Sequence, residues 1–451
     1  GGSVTATGWH TARLWQGQAQ LQGINPAAVD SRLASTSMTG AVSARQSASD
    51  TRFEAELQTA ATAASGQASA RHPDSLQALR LQHLAAKGVW AAPLVTLDAL
   101  QITAQDAQLQ GQLAYNTSNQ AIQGKLSLAL PGLQATVDGQ LASTEGKGQL
   151  AVHLTDALLA TRWLARWPEV ASALNGASPR GAAELSAQWQ GGWQKDAQAM
   201  QLQASLRVPE IAWHQTAASS QIAQADWRLR ELQADASGTL AALTLKTRGL
   251  VDAAGQRLDW QGQARLGRMN AGLWQASINQ FKVALQHSAT PKGPWSLQWD
   301  ESNDKAVTLD WSQAGPQRTL RVSAGTARLQ GPAPGTASVN WQAGQWAQGA
   351  LQRSGRWQSQ GQVTNLPLAW LEAMGGKTLA ELGISSNMVL SGAWDASQTD
   401  TLHLRATLER SAGDLGVRMD DAQSRVLPAG LREAWMQLNL DGKQLAGSVR
   451  W

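Results

Sequence analysis

Alternation of apolar and polar residues with a period of two runs through this chain, and it narrows the possible folds more than any other feature. Leu133, Ala135, Val137, Gly139 and Leu141 alternate with Gln134, Thr136, Asp138 and Gln140. Leu185, Ala187 and Trp189 alternate with Glu184, Ser186, Gln188 and Gln190. Leu202, Ala204, Leu206 and Val208 alternate with Gln201, Gln203, Ser205 and Arg207. Further runs are Leu258–Trp260–Gly262–Ala264–Leu266, Trp295–Leu297–Trp299, Val307–Leu309–Trp311, Leu320–Val322–Ala324, Val339–Trp341 and Leu402–Leu404–Ala406–Leu408. Successive side chains of a strand point to opposite faces, so each run has one dry face and one wet face. Turn residues such as Pro131-Gly132, Gly191-Gly192, Gly315-Pro316 and Asp441-Gly442 separate the runs. The expected fold is mainly β: a long antiparallel quasi-repeat sheet. No βαβ alternation and no strict repeat period are visible.

Two segments break the pattern. Thr155–Leu174 reads as helix, with Leu159, Trp163, Val170 and Leu174 on an apolar stripe and Arg162 and Arg166 off it. Pro168 ends or kinks its first half. Asn365–Gly383 reads as two short helices, with Asn365 as N-cap and a stop at Gly375-Gly376. Thr378-x-x-Glu381 is a capping box that restarts the second. The expected order is a β segment over 1–154, a helical insert over 155–180, a central β segment over 181–364, a second helical insert over 365–384 and a β segment over 385–451, all one continuous elongated unit. The Ala/Ser/Thr stretch Thr59–Ala70 reads as a loop.

Composition excludes several functions. There is no cysteine, which removes disulfides, thiol catalysis and Cys-based zinc sites. A disulfide-free chain is compatible with a bacterial periplasm. The net charge of +4 comes without a Lys/Arg cluster, so no nucleic-acid partner is expected. No apolar run reaches the roughly 18 residues of a membrane-spanning helix. Gly1, Gly2 and Ser3 look like a joining scar or an arbitrary cut instead of a signal peptide, and the chain reads as a fragment of something longer.

Motifs for chemistry are missing too. Gly375-Gly376-Lys377-Thr378 resembles the end of a phosphate-binding loop, but Leu371 stands where that loop needs its first glycine. A helix end followed by a helix start explains it better. His10, His72, His83, His153, His214, His287 and His403 form no metal-ligand spacing and read as solvated polar-face residues. Asp420-Asp421 reads as a polar turn, and no Gly-x-Ser-x-Gly elbow is present. The expectation is a protein without catalytic residues, metal or cofactor.

The dry face is the informative feature. There are 21 Trp against one Tyr and two Phe, and Trp189, Trp213, Trp260, Trp299, Trp311 and Trp341 fall in phase with Leu and Val. A one-sided sheet must cover its apolar face. Closed sandwiches would do so in units of about 100 residues. The alternative is a sheet curled so that its dry face lines a groove, which lipid chains or an incoming amphipathic strand would complete. The candidates to line it are Leu133, Val137, Leu141, Leu185, Trp189, Leu202, Leu206, Trp213, Leu258, Trp260, Leu297, Trp299, Leu309, Trp311, Val322, Trp341, Leu404 and Leu408.

Several motifs carry a family resemblance. They are Asp156-Ala-Leu-Leu, Trp163-Leu-Ala-Arg-Trp-Pro168, Gly181-Ala-Ala-Glu-Leu185 and Trp189-Gln-Gly-Gly-Trp193. Asn365-Leu-Pro-Leu-Ala-Trp-Leu371, Leu390-Ser-Gly-Ala-Trp-Asp395, Leu408-Glu-Arg-Ser-Ala-Gly-Asp-Leu415 and Gly430-Leu-Arg-Glu-Ala434 continue them. Over most of Thr155–Trp451 the chain resembles the middle of the TamB family, the inner-membrane-anchored subunits of the translocation and assembly module, within the AsmA-like group. The resemblance implies a β-taco folded around an apolar groove. It implies a periplasmic location in a Gram-negative bacterium and phospholipid passage between inner and outer membrane. Phospholipid acyl chains would then be the ligand. The barrel TamA would be engaged, and the membrane anchored, through regions outside this piece. The alternatives are a chaperone-like scaffold for outer-membrane protein (autotransporter) assembly with an Omp85-type barrel, a Trp-rich sugar binder, or an outer-membrane barrel.

Overall fold

The computed structural model describes residues 2–11, 14–25, 37–59, 81–166, 178–192, 200–214, 226–239, 241–270, 272–287, 293–299, 306–314, 317–349, 355–372, 381, 383–399, 401–419 and 426–451. The fold is mainly β. Among the described residues, twenty-seven strands join antiparallel ladders that do not close into a barrel, and three more form a small separate sheet. Two short helices interrupt them. The chain divides into two units, Gly1–Thr239 and Leu240–Trp451, a boundary inside the stretch read from sequence as one central segment.

Unit 1 is a meander. Its strands are β1 (Ser3–His10), β2 (Trp15–Ile24), β3 (Met38–Gln46), β4 (Thr51–Thr59), β5 (Leu81–Ala91), β6 (Leu94–Ala104) and β7 (Gln108–Asn116). They continue as β8 (Ala121–Leu130), β9 (Leu133–Leu141), β10 (Gly146–Leu154), β11 (Ser178–Gln190), β12 (Gln201–His214) and β13 (Asp226–Thr239), with α1 (Ala157–Leu164) after β10. Each strand pairs with the next, and the register keeps apolar residues opposite one another. One row runs Gly8, Gly17, Ala44, Phe53, Gly88, Leu97, Leu113, Gly124, Gly139, Gly148, Trp189, Leu202, Gly238, crossing thirteen strands without a polar side chain. The intervening positions carry the other face: Gln134, Gln188 and Gln203 are exposed.

Bulges keep that face in phase. From Ala182–Glu210 to Glu184–Arg207, β11 advances two residues while β12 advances three. The extra residue at Val208–Pro209 switches the dry positions of β12 from even to odd numbers. Leu202, Leu206 and Val208 thereby share a face with Ile211 and Trp213. A one-residue slip without such a bulge would turn every later side chain over.

The helix α1 covers one end of the dry face. Asp156 caps it, its Oδ1 accepting from the Leu158 and Leu159 amides at 2.9 and 3.0 Å. Ala157, Ala160 and Trp163 are its buried residues. Trp163 and Ala160 pack on Leu130, with Leu128, Leu133 and Leu154 around them. Leu159, expected on the buried stripe, is exposed, because the helix lies down on its small alanines and swings Leu159 outward. Val170 and Leu174, the rest of the expected helix beyond Arg166, and the loop read at Ala60–Ala70 lie outside the described residues.

Unit 2 is built from β14 (Ala242–Ala253), β15 (Gln256–Asn270), β16 (Leu273–His287), β17 (Trp295–Trp299), β18 (Val307–Ala314), β19 (Gln317–Val322), β20 (Gly325–Gln330), β21 (Ala337–Trp341) and β22 (Gly344–Gly349). Next come β23 (Arg356–Pro367), α2 (Leu368–Glu372), β24 (Ile384–Ser386), β25 (Val389–Gln398), β26 (Leu402–Ala412), β27 (Leu415–Arg418), β28 (Val426–Pro428), β29 (Trp435–Asp441) and β30 (Gln444–Arg450). Here the meander is broken in the middle. The long β16 pairs with β17 along Phe281–Leu285 and with β18 along Leu273–Ile278. β17 then pairs with β20, and β18 with β19. β20 pairs with β21 and β19 with β22, and both columns rejoin on the long β23. Three successive lines of the sheet are thus each made of two short strands end to end. A bulge in β16 at Asn279 matches the line of breaks, since Gln263 faces Gln280 but Ala264 faces Ile278. The dry phase survives: Trp260, Val283 and Leu297 form one row, and Leu266, Ala276, Leu309 and Val322 another.

Asn365 does not cap a helix. It sits inside β23 with a φ of 58°, at a register shift between Val363 and Leu366, and α2 begins at Leu368. The Gly375–Thr378 segment lies outside the described residues. Asp414 organises the small sheet of β24, β27 and β28. Its carboxylate accepts from the amides of Gly430, Leu431 and Leu415, which hold its pKa below the usual carboxylate value.

Candidate functional site

The candidate site is the dry face, one expanse in each unit. In unit 1 the registers bring Leu133, Val137, Leu141, Leu185, Trp189, Leu202, Leu206 and Trp213 to one face. In unit 2 they bring Leu258, Trp260, Leu297, Trp299, Leu309, Trp311, Val322 and Trp341 to one face, and carry it through Gly361 and Trp394 to Leu404 and Leu408. Most of these side chains are only part-buried, and Trp311 is half exposed. Among the described residues the fully buried apolar side chains are few and often alanines, such as Ala104, Ala142, Ala327 and Ala337. A sandwich core would bury its Leu and Trp residues instead.

Sequence reading missed how the tryptophans lie. Four of them, Trp189, Trp260, Trp341 and Trp394, lie flat on the sheet, each ring over a glycine of the neighbouring strand. A Cβ placed on Gly148 would meet the Trp189 ring at 2.3 Å, and one on Gly249 the Trp260 ring at 2.5 Å. The same holds at 2.3 Å for Gly325 under Trp341 and for Gly361 under Trp394. The partners are directly opposed in register. Each indole N–H then reaches a polar atom of the sheet. Trp189 donates to the Gln140 carbonyl at 3.1 Å, Trp341 to the Ser323 carbonyl at 2.9 Å and Trp394 to Ser359 Oγ at 3.1 Å. With its N–H satisfied below, the ring presents a bare apolar surface above. Gly148 and Trp189 are far apart in sequence, so only pairing reveals them.

Each unit closes one rim of its dry face with a buried indole. In unit 1, Trp163 Nε1 donates to Asp106 Oδ1 at 2.8 Å, and Arg166 grips the same carboxylate at 3.1 and 2.7 Å. These bonds, led by Arg166, hold the Asp106 pKa below its ordinary value of 3.8. In unit 2, Trp370 is 0 % exposed, meets Trp295 edge-on at 5.6 Å and donates to the Ala333 carbonyl at 2.8 Å. Its ring covers Gly331.

The polar faces offer no chemistry of this order. Two hollows in unit 1, of about 500 and 710 Å³, open between long side chains such as Glu54, Lys87 and Gln112, and Asp138, Gln149 and Gln188. The part-buried His83 lies 3.7 Å from the exposed Glu56, and His403 lies 3.0 Å from Asp441 as an exposed cross-strand pair. No group of three metal-ligating side chains occurs among the described residues. No helix among them is long and apolar enough to cross a membrane.

The motifs quoted above map onto structural fastenings. Asp156 caps α1, Trp163 and Trp370 close rims, Trp189 and Trp394 cover glycines, and Arg410 donates to the Gly413 and Arg432 carbonyls. No protein-family model, curated protein or solved structure matches the chain.

Proposed function

We propose that this chain is a segment of a hydrophobic track for phospholipid, of the kind the resemblance to the TamB family implies, working in the periplasm between two membranes. The observation that supports it most is the unbroken apolar row across thirteen strands of unit 1, with nothing among the described residues sealing it over most of its length. Apolar area left in water costs about 25 cal/mol per Å². A lipid tail laid on these rows removes that cost without needing specific hydrogen bonds. Flat indoles over glycines supply a smooth floor, suited to a chain that slides.

The test is photo-crosslinking with paired positions. A photoreactive residue at Trp260, on the dry face, captures lipid co-purified with the chain. One at the adjacent Gln261, on the wet face, does not. Equal capture at both positions, or organic extracts of the purified chain that contain no lipid by mass spectrometry, would refute the track.

A further inference from the structure

The dry face is asymmetric between its two rims, in each unit separately. In unit 1, the rim under α1 is buried: Leu130 is 9 % exposed. At the other end of the same strand Ile122 is 42 % exposed, and its row across the sheet continues through Tyr115 and Val95 to Trp90. In unit 2, the rim under Trp370 is buried at Ala337 and Leu390, although Leu285 on β16 stays exposed. The opposite rim carries Trp274, Trp311, Leu320, Trp346 and Trp357, one residue on each successive strand. Trp274 and Trp311 are among the exposed apolar residues. Trp357 turns its N–H outward along this rim to Gln398 Oε1, at 2.9 Å.

Charge follows the same order. One step outboard of Leu320 on the same face stands the exposed Arg318, opposite Gln348. The carboxylate nearest in register among the described residues is Asp310, opposite Arg321. From the capped rim outward, unit 2 therefore reads buried apolar side chains, Trp370 among them, then exposed indoles at Trp274 and Trp311, then the guanidinium of Arg318. That is the order met by an amphiphile passing from its tail ends through its ester level to its phosphate. Indoles favour such a boundary because one part is apolar and one part donates a hydrogen bond. The width also fits. Trp357 to Val363 on β23 is about 20 Å of strand, and the tails of one leaflet need about 15 Å, half of a ~30 Å hydrocarbon core.

We infer that the Trp274–Trp311–Trp346–Trp357 row is the head-group boundary of the track, with a glycerophospholipid lying along the strands, tail ends toward Trp370 and phosphate toward Arg318. This inference rests on the lipid reading proposed above and adds a polarity to it. The probes are two phospholipids, one with a diazirine on an acyl-chain carbon close to the ester, the other with it near the methyl end of the chain. Peptide mass spectrometry locates the labels after illumination with the intact chain. The glycerol-side probe labels Trp311 and Trp346 at least several-fold more than Leu329 and Trp370, and the terminal probe does the reverse. Even or inverted labelling overturns the polarity while leaving the track. No labelling by either probe removes the track and the inference together. In a second arm, Arg318→Glu lowers capture of phospholipid several-fold and leaves capture of diacylglycerol unchanged. Equal effects on both ligands, or no effect, strike Arg318 from the phosphate site.

Discussion

Unit 1 fastens its rim with an eight-residue helix and a carboxylate gripped by Arg166 and Trp163, whereas unit 2 uses a five-residue helix and one indole bonded to a backbone carbonyl. Their sheets differ too. Unit 1 runs thirteen strands side by side, while unit 2 splits three of its lines into short strands between β16 and β23. The shared outcome is a face that stays apolar and in phase. What must be kept is the phase and the covered rim, and the device that keeps them is free to vary.

The largest expected effect separates the two rims. Trp370→Ala removes the most completely buried large side chain and should cost about 3–5 kcal/mol. The loss should be confined to unit 2, read as lost hydrogen-exchange protection in β20, β21 and β23 with unit 1 unchanged. Protection lost equally in both units would show that the rims are not independent fastenings. A smaller effect tests the floor. Gly249→Ala pushes a methyl into the Trp260 ring and should cost about 1–3 kcal/mol. Trp260→Leu in the same chain should recover most of it, in urea denaturation. Failure to recover would mean that Gly249 matters for its backbone alone.

The smallest effect is a difference in pH dependence. The folded Asp106 carboxyl titrates below 3.8, so its stabilising contribution is complete above pH 3.8 and disappears as pH falls through its lower folded value. The Ala333 carbonyl that receives Trp370 does not titrate. Acid should therefore loosen α1, by about 1 kcal/mol for a partly exposed charged pair, before it touches α2. Asp106→Asn should abolish that difference in exchange rates. An α1 that loosens no earlier than α2 would contradict the contrast.

Much of this was legible in the sequence because alternation is a local signal. The dry positions from Leu133 to Leu408 read correctly wherever one strand is regular. Four things were not legible. The Trp189–Gly148 contact joins residues of different strands. The broken lines between β16 and β23 depend on which strand pairs with which. Leu159 and Asn365 were misread because helical periodicity says nothing of how deep a helix settles, and an asparagine with positive φ serves a bulge as readily as a cap. Which residues share the dry face was legible, but its two unequal rims were not, since they depend on where α1 and α2 fold back.

The bulges have a consequence for changes in chain length. Each is a place where the count of residues between two landmarks shifts from even to odd without penalty. At Val208–Pro209 and at Asn279 the chain already carries one residue more than its neighbour. Deleting that residue would put Ile211 and Trp213, or Ile278 and Ala276, on the water side, and the error would be inherited by every position up to the end of the strand. Inserting one residue beside it would do the same. Inserting two would restore the parity and merely lengthen the kink. These strands should therefore tolerate additions in twos at such points and reject them singly, a counting rule that comes from the pleat and not from any particular side chain.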